Sequence, residues 1–355
     1  MPDPLPPVGL DYGEVVNAVA EAEHALGRLA GVGRTLTNPY LVAGPLLFGE
    51  ALASSRMDNV SVTSQEALLQ GVTHRDVHPG GRVVMDYAKA MVQGIGRLDG
   101  ASINLQFVVE LHSVLVGGSG SGSVGGSRKG GANTSDVGQD PLDQAFTPSE
   151  TLGLSEALRQ LDQFIQTSDA PLLVRLALIH YQFEAICPFR EGSGRIARML
   201  IPLILGKAGR QPQPLYYMSS YFIQRQTEYV DLLLQVSRQG AWRDWIAFFL
   251  RGVERQSAHS LVQIDKLVAL RNDWLKRAKP GRSSTSPHKL IDALFRFPAT
   301  TVGQAQKLLG VTPRGAKLNI EKLVDQGILH EATERRRNRV FTAGEILQII
   351  EPTGP

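Results

Sequence analysis

Cysteine is nearly absent: Cys187 is the only one in 355 residues. A disulfide framework and a cysteine-built zinc site are thereby excluded, and the chain suits a reducing compartment. Neither sign of charge is in excess, with 37 Lys+Arg against 34 Asp+Glu and a net charge of +3. That balance gives no ground for a polyanion partner of the whole chain, so charge is read region by region. No run approaches the ~20 apolar residues that span a bilayer. Residues 1–10 are proline-rich and lack the charged start and apolar run of a signal peptide. These absences predict a cytoplasmic protein with no membrane partner. What is present is an ordinary 43% of hydrophobic residues and enough length for two or three domains.

Apolar residues recur at three- and four-residue steps through most of the chain, which predicts a mainly helical fold. Helices are expected over residues 12–31, 39–57, 82–94 and 101–116, then from about 148 to 270 with breaks at 187–194 and 209–214. Residues 117–138 are rich in Gly and Ser and read as a flexible loop. The polar, basic segment 276–287 reads as a linker. Beyond it come two short amphipathic helices and a turn with Thr312 as N-cap and Pro313 at the first helical position. A third helix ends at Gly327, and a hairpin over 327–342 follows. That order describes a small α/β winged helix. The expected domains are an N-terminal helical region (1–100), a helical core (101–275), the linker, and the winged helix (288–355).

Residues 180–200, HYQFEAICPFREGSGRIARML, concentrate the chemistry. Proline disfavours helical geometry in the residue before it, so Cys187-Pro188 predicts a helix end at Ile186. Gly192-Ser193-Gly194 then opens the next helix with bare backbone N–H groups, a ready anion site. Arg195 and Arg198, at i and i+3, share one face beside it. Glu191 offers a carboxylate for Mg²⁺. Together these read as a diphosphate or triphosphate site with a metal.

The stretch resembles the Fic family signature, His-Pro-Phe-x-Asp/Glu-Gly-Asn-Gly-Arg-x-x-Arg, here running from Cys187 to Arg198. His180, Phe183 and Glu184 are similar to the family's preceding helix. Residues 5–10, 38–55, 215–221 and 242–252 resemble bacterial Fic proteins with an N-terminal inhibitory helix and a C-terminal winged helix. The resemblance implies a helical bundle with an ATP and Mg²⁺ site, and transfer of AMP from ATP to a protein hydroxyl. By the same resemblance Glu191 binds Mg²⁺, Phe189 belongs to the nucleotide site, and Gly192, Ser193, Gly194 and Arg195 hold the α- and β-phosphates. Arg198 reaches the γ-phosphate.

Four departures bear on activity. Cys187 stands where the family has its histidine base. An ordinary thiol, with a pKa of about 8.5, is a poor proton acceptor, and losing a placed base costs about 10²–10⁴-fold. Two readings of Cys187 stand: a nucleophile or acid acting on a small molecule, and a small apolar residue filling the place. Ser193 replaces an asparagine. The Gly-rich run replaces the family's Pro-Gly-x-Phe-Arg flap, which weakens strand-paired docking of a protein acceptor. The inhibitory motif has its counterpart in Ser54-Ser55-Arg56-Met57-Asp58-Asn59; the resemblance implies a pair between Asp58 and Arg198, weaker than that of the usual glutamate because Asp58 is one methylene shorter.

Three functions are therefore carried forward. One is a divergent AMP-transferase-like protein, another an enzyme using Cys187, and the third a non-catalytic regulator. Residues 289–355 hold ten Lys/Arg against seven Asp/Glu. Arg314 and Lys317 lie on the candidate recognition helix and Arg335, Arg336, Arg337 and Arg339 on the wing, which makes DNA a candidate partner. A homodimer is left open. His112, on an apolar helix, is expected to be a satisfied core residue. His180 lies about 10 Å along a helix from Cys187, too far for a direct dyad.

Overall fold

The computed structural model describes residues 2–73, 78–117, 153–278, 286–333 and 339–351. The described chain is mainly helical, with one small three-stranded sheet near its C-terminal end. A short 3-10 turn (Tyr12–Val15) leads into α1 (Val16–Thr35). Next come α2 (Tyr40–Met57), α3 (Ser64–Thr73), α4 (Pro79–Gly96) and α5 (Leu105–Leu115). After the Gly/Ser-rich run, nearly all of which lies outside the described residues, the chain forms α6 (Leu154–Thr167), α7 (Leu172–Ile186) and α8 (Ser193–Lys207). The helical body closes with α9 (Ser219–Gln224), α10 (Gln226–Gln239) and α11 (Trp242–Arg277).

Burial sorts these helices into two kinds. In α2, α7 and α8 nearly every residue is buried, because their apolar residues run around the whole circumference rather than along one stripe. They form the centre. Around them pack amphipathic helices such as α6, whose Leu154, Ala157, Leu158, Leu161 and Phe164 make a single inward stripe. The 36-residue α11 spans about 54 Å. At its start Trp245 donates to the Ala177 carbonyl of α7 at 2.9 Å, and near its end Trp274 donates to Glu345 at 2.6 Å.

The C-terminal segment comprises α12 (Ser286–Leu294), β1 (Ala299–Thr301), α13 (Val302–Leu309), α14 (Pro313–Asp325), β2 (His330–Glu331), β3 (Val340–Thr342) and α15 (Gly344–Ile350). Its antiparallel sheet has the order β1-β3-β2, with Thr300 and Glu331 both opposite Phe341. A helix-turn-helix followed by a hairpin gives it a winged-helix-like form. Thr312 caps α14 by accepting from Gly315 N at 3.2 Å, and Pro313 takes the first helical position, as the sequence predicts.

This segment packs on α2. A Cβ on Gly44 would lie 2.5 Å from the Arg296 carbonyl oxygen, so only glycine lets the two backbones approach this closely. Phe48 meets Phe297 edge-on at 5.9 Å, and Gln263 of α11 donates to the Ile349 carbonyl at 3.0 Å. Three elements have no counterpart in the sequence reading: α3, β1 and α15. Each is short, at ten, three and seven residues, and too brief to show a clear period.

Candidate active site

The turn between α7 and α8 is made as its residues dictate. Helix α7 ends at Ile186, and Cys187 adopts a left-handed conformation with φ 45°. A left-handed backbone is uncommon for a non-glycine residue and marks stored strain. The chain turns through Pro188 and reaches Gly192, also left-handed at φ 77°, which serves as N-cap of α8 without any side-chain capping bond. Ser193 Oγ accepts from Phe189 N and donates to Phe189 O, both at 2.9 Å, so it clamps the loop from inside. The shorter hydroxyl thus gains a local role in place of the amide expected at this position. A Cβ on Gly194 would stand 2.8 Å from Arg198 Nη1 and 3.4 Å from Asp58 Oδ1. The glycine leaves the space that the guanidinium and carboxylate occupy.

Arg195 and Arg198 are both buried, and α2 holds both. Asp58, just past the end of α2, accepts from Arg195 Nε at 2.9 Å with Oδ2 and from Arg198 Nη2 at 2.5 Å with Oδ1. Ser54 accepts from Arg198 Nε with its hydroxyl at 2.8 Å and from Nη2 with its carbonyl at 2.9 Å. Asp58 therefore bridges both arginines, where the sequence reading paired it with Arg198 alone. The two guanidiniums turn toward this carboxylate. Burial disfavours the Arg198 charge, but Asp58 and Glu184 more than offset it and its pKa lies above the ordinary value. Glu191, the expected metal ligand, points outward with 71% of its side chain exposed and Oε1 3.3 Å from Arg195 Nη2.

Cys187 is half-buried, with Sγ 3.8 Å from the Phe189 carbonyl. A dyad with His180 is ruled out by geometry as well as spacing. Both ring nitrogens of His180 have other neighbours: Tyr229 Oη at 2.8 Å from Nε2 and the Ala197 carbonyl at 3.3 Å from Nδ1. Tyr229 Oη also lies 3.1 Å from Glu184 Oε1, so its one proton is shared between these two neighbours. Burial first, and Arg198 second, lower the His180 pKa to about 3, so the ring stays neutral.

Some participants escaped the sequence reading because their partners are distant in the chain. Glu50, on α2 and fully buried, accepts from Tyr87 Oη at 2.9 Å, Ser219 N at 3.1 Å and Ser219 Oγ at 2.6 Å. Burial raises its pKa, while Ser219, Tyr87 and Arg198 act in the opposite direction. His112 was read as core. It is buried, yet Nε2 lies 2.8 Å from the Glu191 carbonyl and its ring stacks on Phe189 at 3.8 Å. Leu115, one turn further along α5, bounds Gly192 on the same side.

At the C-terminal end, Arg314 and Lys317 are exposed on α14, and Lys317 lies 3.4 Å from Glu321. Arg339 is ion-paired with Glu331 and stacks over Phe341 at 5.3 Å. Arg335, Arg336 and Arg337 lie outside the described residues.

Residues 16–105 match the family model described as Fic/DOC family N-terminal, and residues 102–205 match the one described as Fic/DOC family. This part of the chain belongs to the Fic/DOC family. The Fic model takes in the whole loop from Cys187 to Arg198, and the N-terminal model takes in Ser54 and Asp58. Solved Fic structures share the fold. A Fic family protein from Desulfovibrio desulfuricans G20 superposes with a TM-score of 0.56 at 15% identity, covering 95% of this chain and 98% of that one. A Fic-domain-containing signaling protein from Bacteroides thetaiotaomicron gives 0.52 at 16% identity, covering 71% of this chain and 98% of its own. Fic-1 from C. elegans gives 0.52 at 15%, covering 71% and 74%. No described helix is long and apolar enough to cross a membrane.

Proposed function

We propose that this chain is a Fic-type nucleotide-handling protein whose phosphate site is closed by its own α2 and whose AMP-transfer chemistry is weakened by Cys187. The observation that carries the reading is the pair of buried guanidiniums at the start of α8, both satisfied by one carboxylate from α2. Family membership points in general to nucleotidyl transfer of the AMPylation type.

The residues fit a polyphosphate. The glycine-made cradle admits no Cβ at 194 unless the Arg198 guanidinium shifts, and α8 offers a helix N-terminus without a side-chain cap. Arg195 and Arg198 are two fixed donors of the geometry that recognises phosphate. Asp58 stands as an internal anion in the place that phosphate oxygens would take, and nucleotide must displace it. Among the described residues no group of three or more His, Cys, Asp or Glu could hold a metal by itself. A divalent ion would therefore arrive with the nucleotide and take the exposed Glu191 as its protein ligand. Bound Mg²⁺ would neutralise phosphate charge. This chain's residues would orient the nucleotide: the loop N–H groups and Arg195 on the inner phosphates, Arg198 on the outer one. The base is the missing part, since neither Cys187 nor the neutral, fully engaged His180 is suited to take a hydroxyl proton.

The test is MgATP binding by calorimetry, with adduct formation read by intact-protein mass, for wild type, Asp58→Ala and Cys187→His. We expect Asp58→Ala to bind MgATP about tenfold more tightly than wild type, because a charge-assisted contact no longer competes. We expect Cys187→His to gain an AMP adduct that wild type forms slowly or not at all. Failure of every variant to bind ATP would sink this reading and turn attention to thiol chemistry at Cys187.

The exposed Arg314 and Lys317 support a second role for the C-terminal segment, contact with DNA phosphate through α14.

A further inference from the structure

We infer that His112 is the positioning residue for the phosphate loop: it fixes the main chain at Glu191 and the ring of Phe189, and so sets where the Gly192–Gly194 amides and the Glu191 carboxylate point. The nucleotide consequence rests on the function proposed above, whereas the loop-holding role stands on geometry alone.

The contacts are specific to an imidazole. Nε2 faces a carbonyl oxygen at 2.8 Å, and a carbonyl only accepts, so Nε2 must carry the proton. Nδ1 is then a bare acceptor, and it is buried with no hydrogen-bond partner among the described residues. A histidine serving only to fill the core would be a poor choice, since leucine would avoid that orphaned atom. The side chain is explained by what its other nitrogen and its face do. The ring lies at 3.8 Å and 6° from Phe189, nearly parallel to it. Two attachments, one to the backbone of residue 191 and one to the side chain of 189, pin the loop on either side of Arg190.

The loop needs such an attachment. Cys187 and Gly192 are both left-handed, and Ser193 supplies only a bond within the loop itself. Arg195 and Phe183 also reach the loop, but only through side chains, at Glu191 Oε1 and the Phe189 ring, whereas the bond to its main chain at Glu191 comes from α5. Helix α5 supplies His112 and Leu115, three residues apart and on one face, as the wall against which the loop rests.

Because Cys187 is the only cysteine, its alkylation by iodoacetamide, followed by intact mass, reports loop order in the nucleotide-free protein. His112→Ala is expected to speed alkylation about tenfold, reflecting loss of a hydrogen bond and a ring contact. His112→Gln keeps an N–H near the Nε2 position and should recover most of the wild-type rate. His112→Phe keeps the ring without the donor and should remain about fivefold fast. A flat series among variants with wild-type melting temperature overturns the proposal, as does a Gln variant no slower than Phe. If the Ala variant fails to fold, the Gln and Phe pair decides the matter by the same comparison. MgATP binding is measured on the same samples to separate the two claims. An ordered alkylation series with no ATP binding rejects the nucleotide reading and keeps the positioning role; ATP binding with a flat series does the reverse.

Discussion

Two helices in this molecule begin with a pair of basic residues three apart, and they are built in opposite ways. Helix α8 opens with Arg195 and Arg198, both buried, behind a left-handed glycine that provides no side-chain cap. Helix α14 opens with Arg314 and Lys317, both exposed, behind Thr312, which caps the helix in the ordinary manner. At α14 the N-terminus is satisfied and the charges sit in water at little energetic consequence. At α8 two guanidiniums are held out of water, which requires compensating carboxylates, and the chain supplies Asp58, Glu184 and Glu191 around them. A fold that only needed a helix there would use the α14 arrangement. The difference separates two buried guanidiniums satisfied by a carboxylate of the same chain from two basic side chains open to solvent.

The largest effect that could break this comparison is on stability. Arg198→Ala removes one of the two partners of Asp58 and the donor to Ser54, and leaves the buried Glu184 without its neighbouring cation. Breaking a buried pair in this way costs about 3–5 kcal/mol. In a protein of this size the melting temperature should fall by on the order of 10 °C. Arg314→Ala should move it by less than about 2 °C. Calorimetric scans of both variants settle the matter: equal shifts would mean that burial at α8 carries no special energetic weight.

Acid sharpens the same contrast. His180, packed behind Arg198, has a folded pKa of about 3, with burial the main cause. The unfolded chain, with an imidazole near 6.5, takes up the proton that the folded chain refuses between those values. The stabilisation is therefore complete above pH 6.5 and is lost as pH falls toward 3. Between pH 7 and pH 5 the loss should be about 2 kcal/mol. Urea midpoints at the two pH values, in wild type and His180→Phe, test this. The variant should lose most of that pH dependence, and an unchanged slope would show that other groups dominate acid unfolding. No imidazole lies on α14, so its local opening, followed by hydrogen exchange, should not follow the same titration.

How legible these two regions were in the sequence follows from how local their physics is. The end of α7 at Ile186 was readable because Pro188 constrains its neighbour, and the cap of α14 because Thr312 and Pro313 act within one turn. The glycine-flanked start of α8 was readable for the same reason. The role of Asp58 came only through family resemblance, since 140 residues separate it from Arg198, and its bridge to Arg195 was not anticipated. The places of His112 and Glu50 were illegible: an isolated polar residue on an apolar helix says nothing of a partner 79 or 169 residues away. The short β1 has no periodicity to find, and its strand character comes from pairing with β3.

The smallest expected effect bears on the exposed half of the comparison. Lys317 lies 3.4 Å from Glu321 one turn along, an exposed pair that contributes little, so Lys317→Ala should change stability by less than about 0.5 kcal/mol. If α14 rests on a DNA backbone, the same substitution removes one phosphate contact. The slope of log affinity against log salt, measured with a random-sequence duplex, should then drop by about 1 while relative preference among sequences is kept. An unchanged slope would assign Arg314 and Lys317 to an ordinary solvated face. Leu318, half exposed next to Lys317, would in that case direct the search toward a protein partner, because an apolar side chain contributes nothing to a phosphate contact and a good deal to a protein interface.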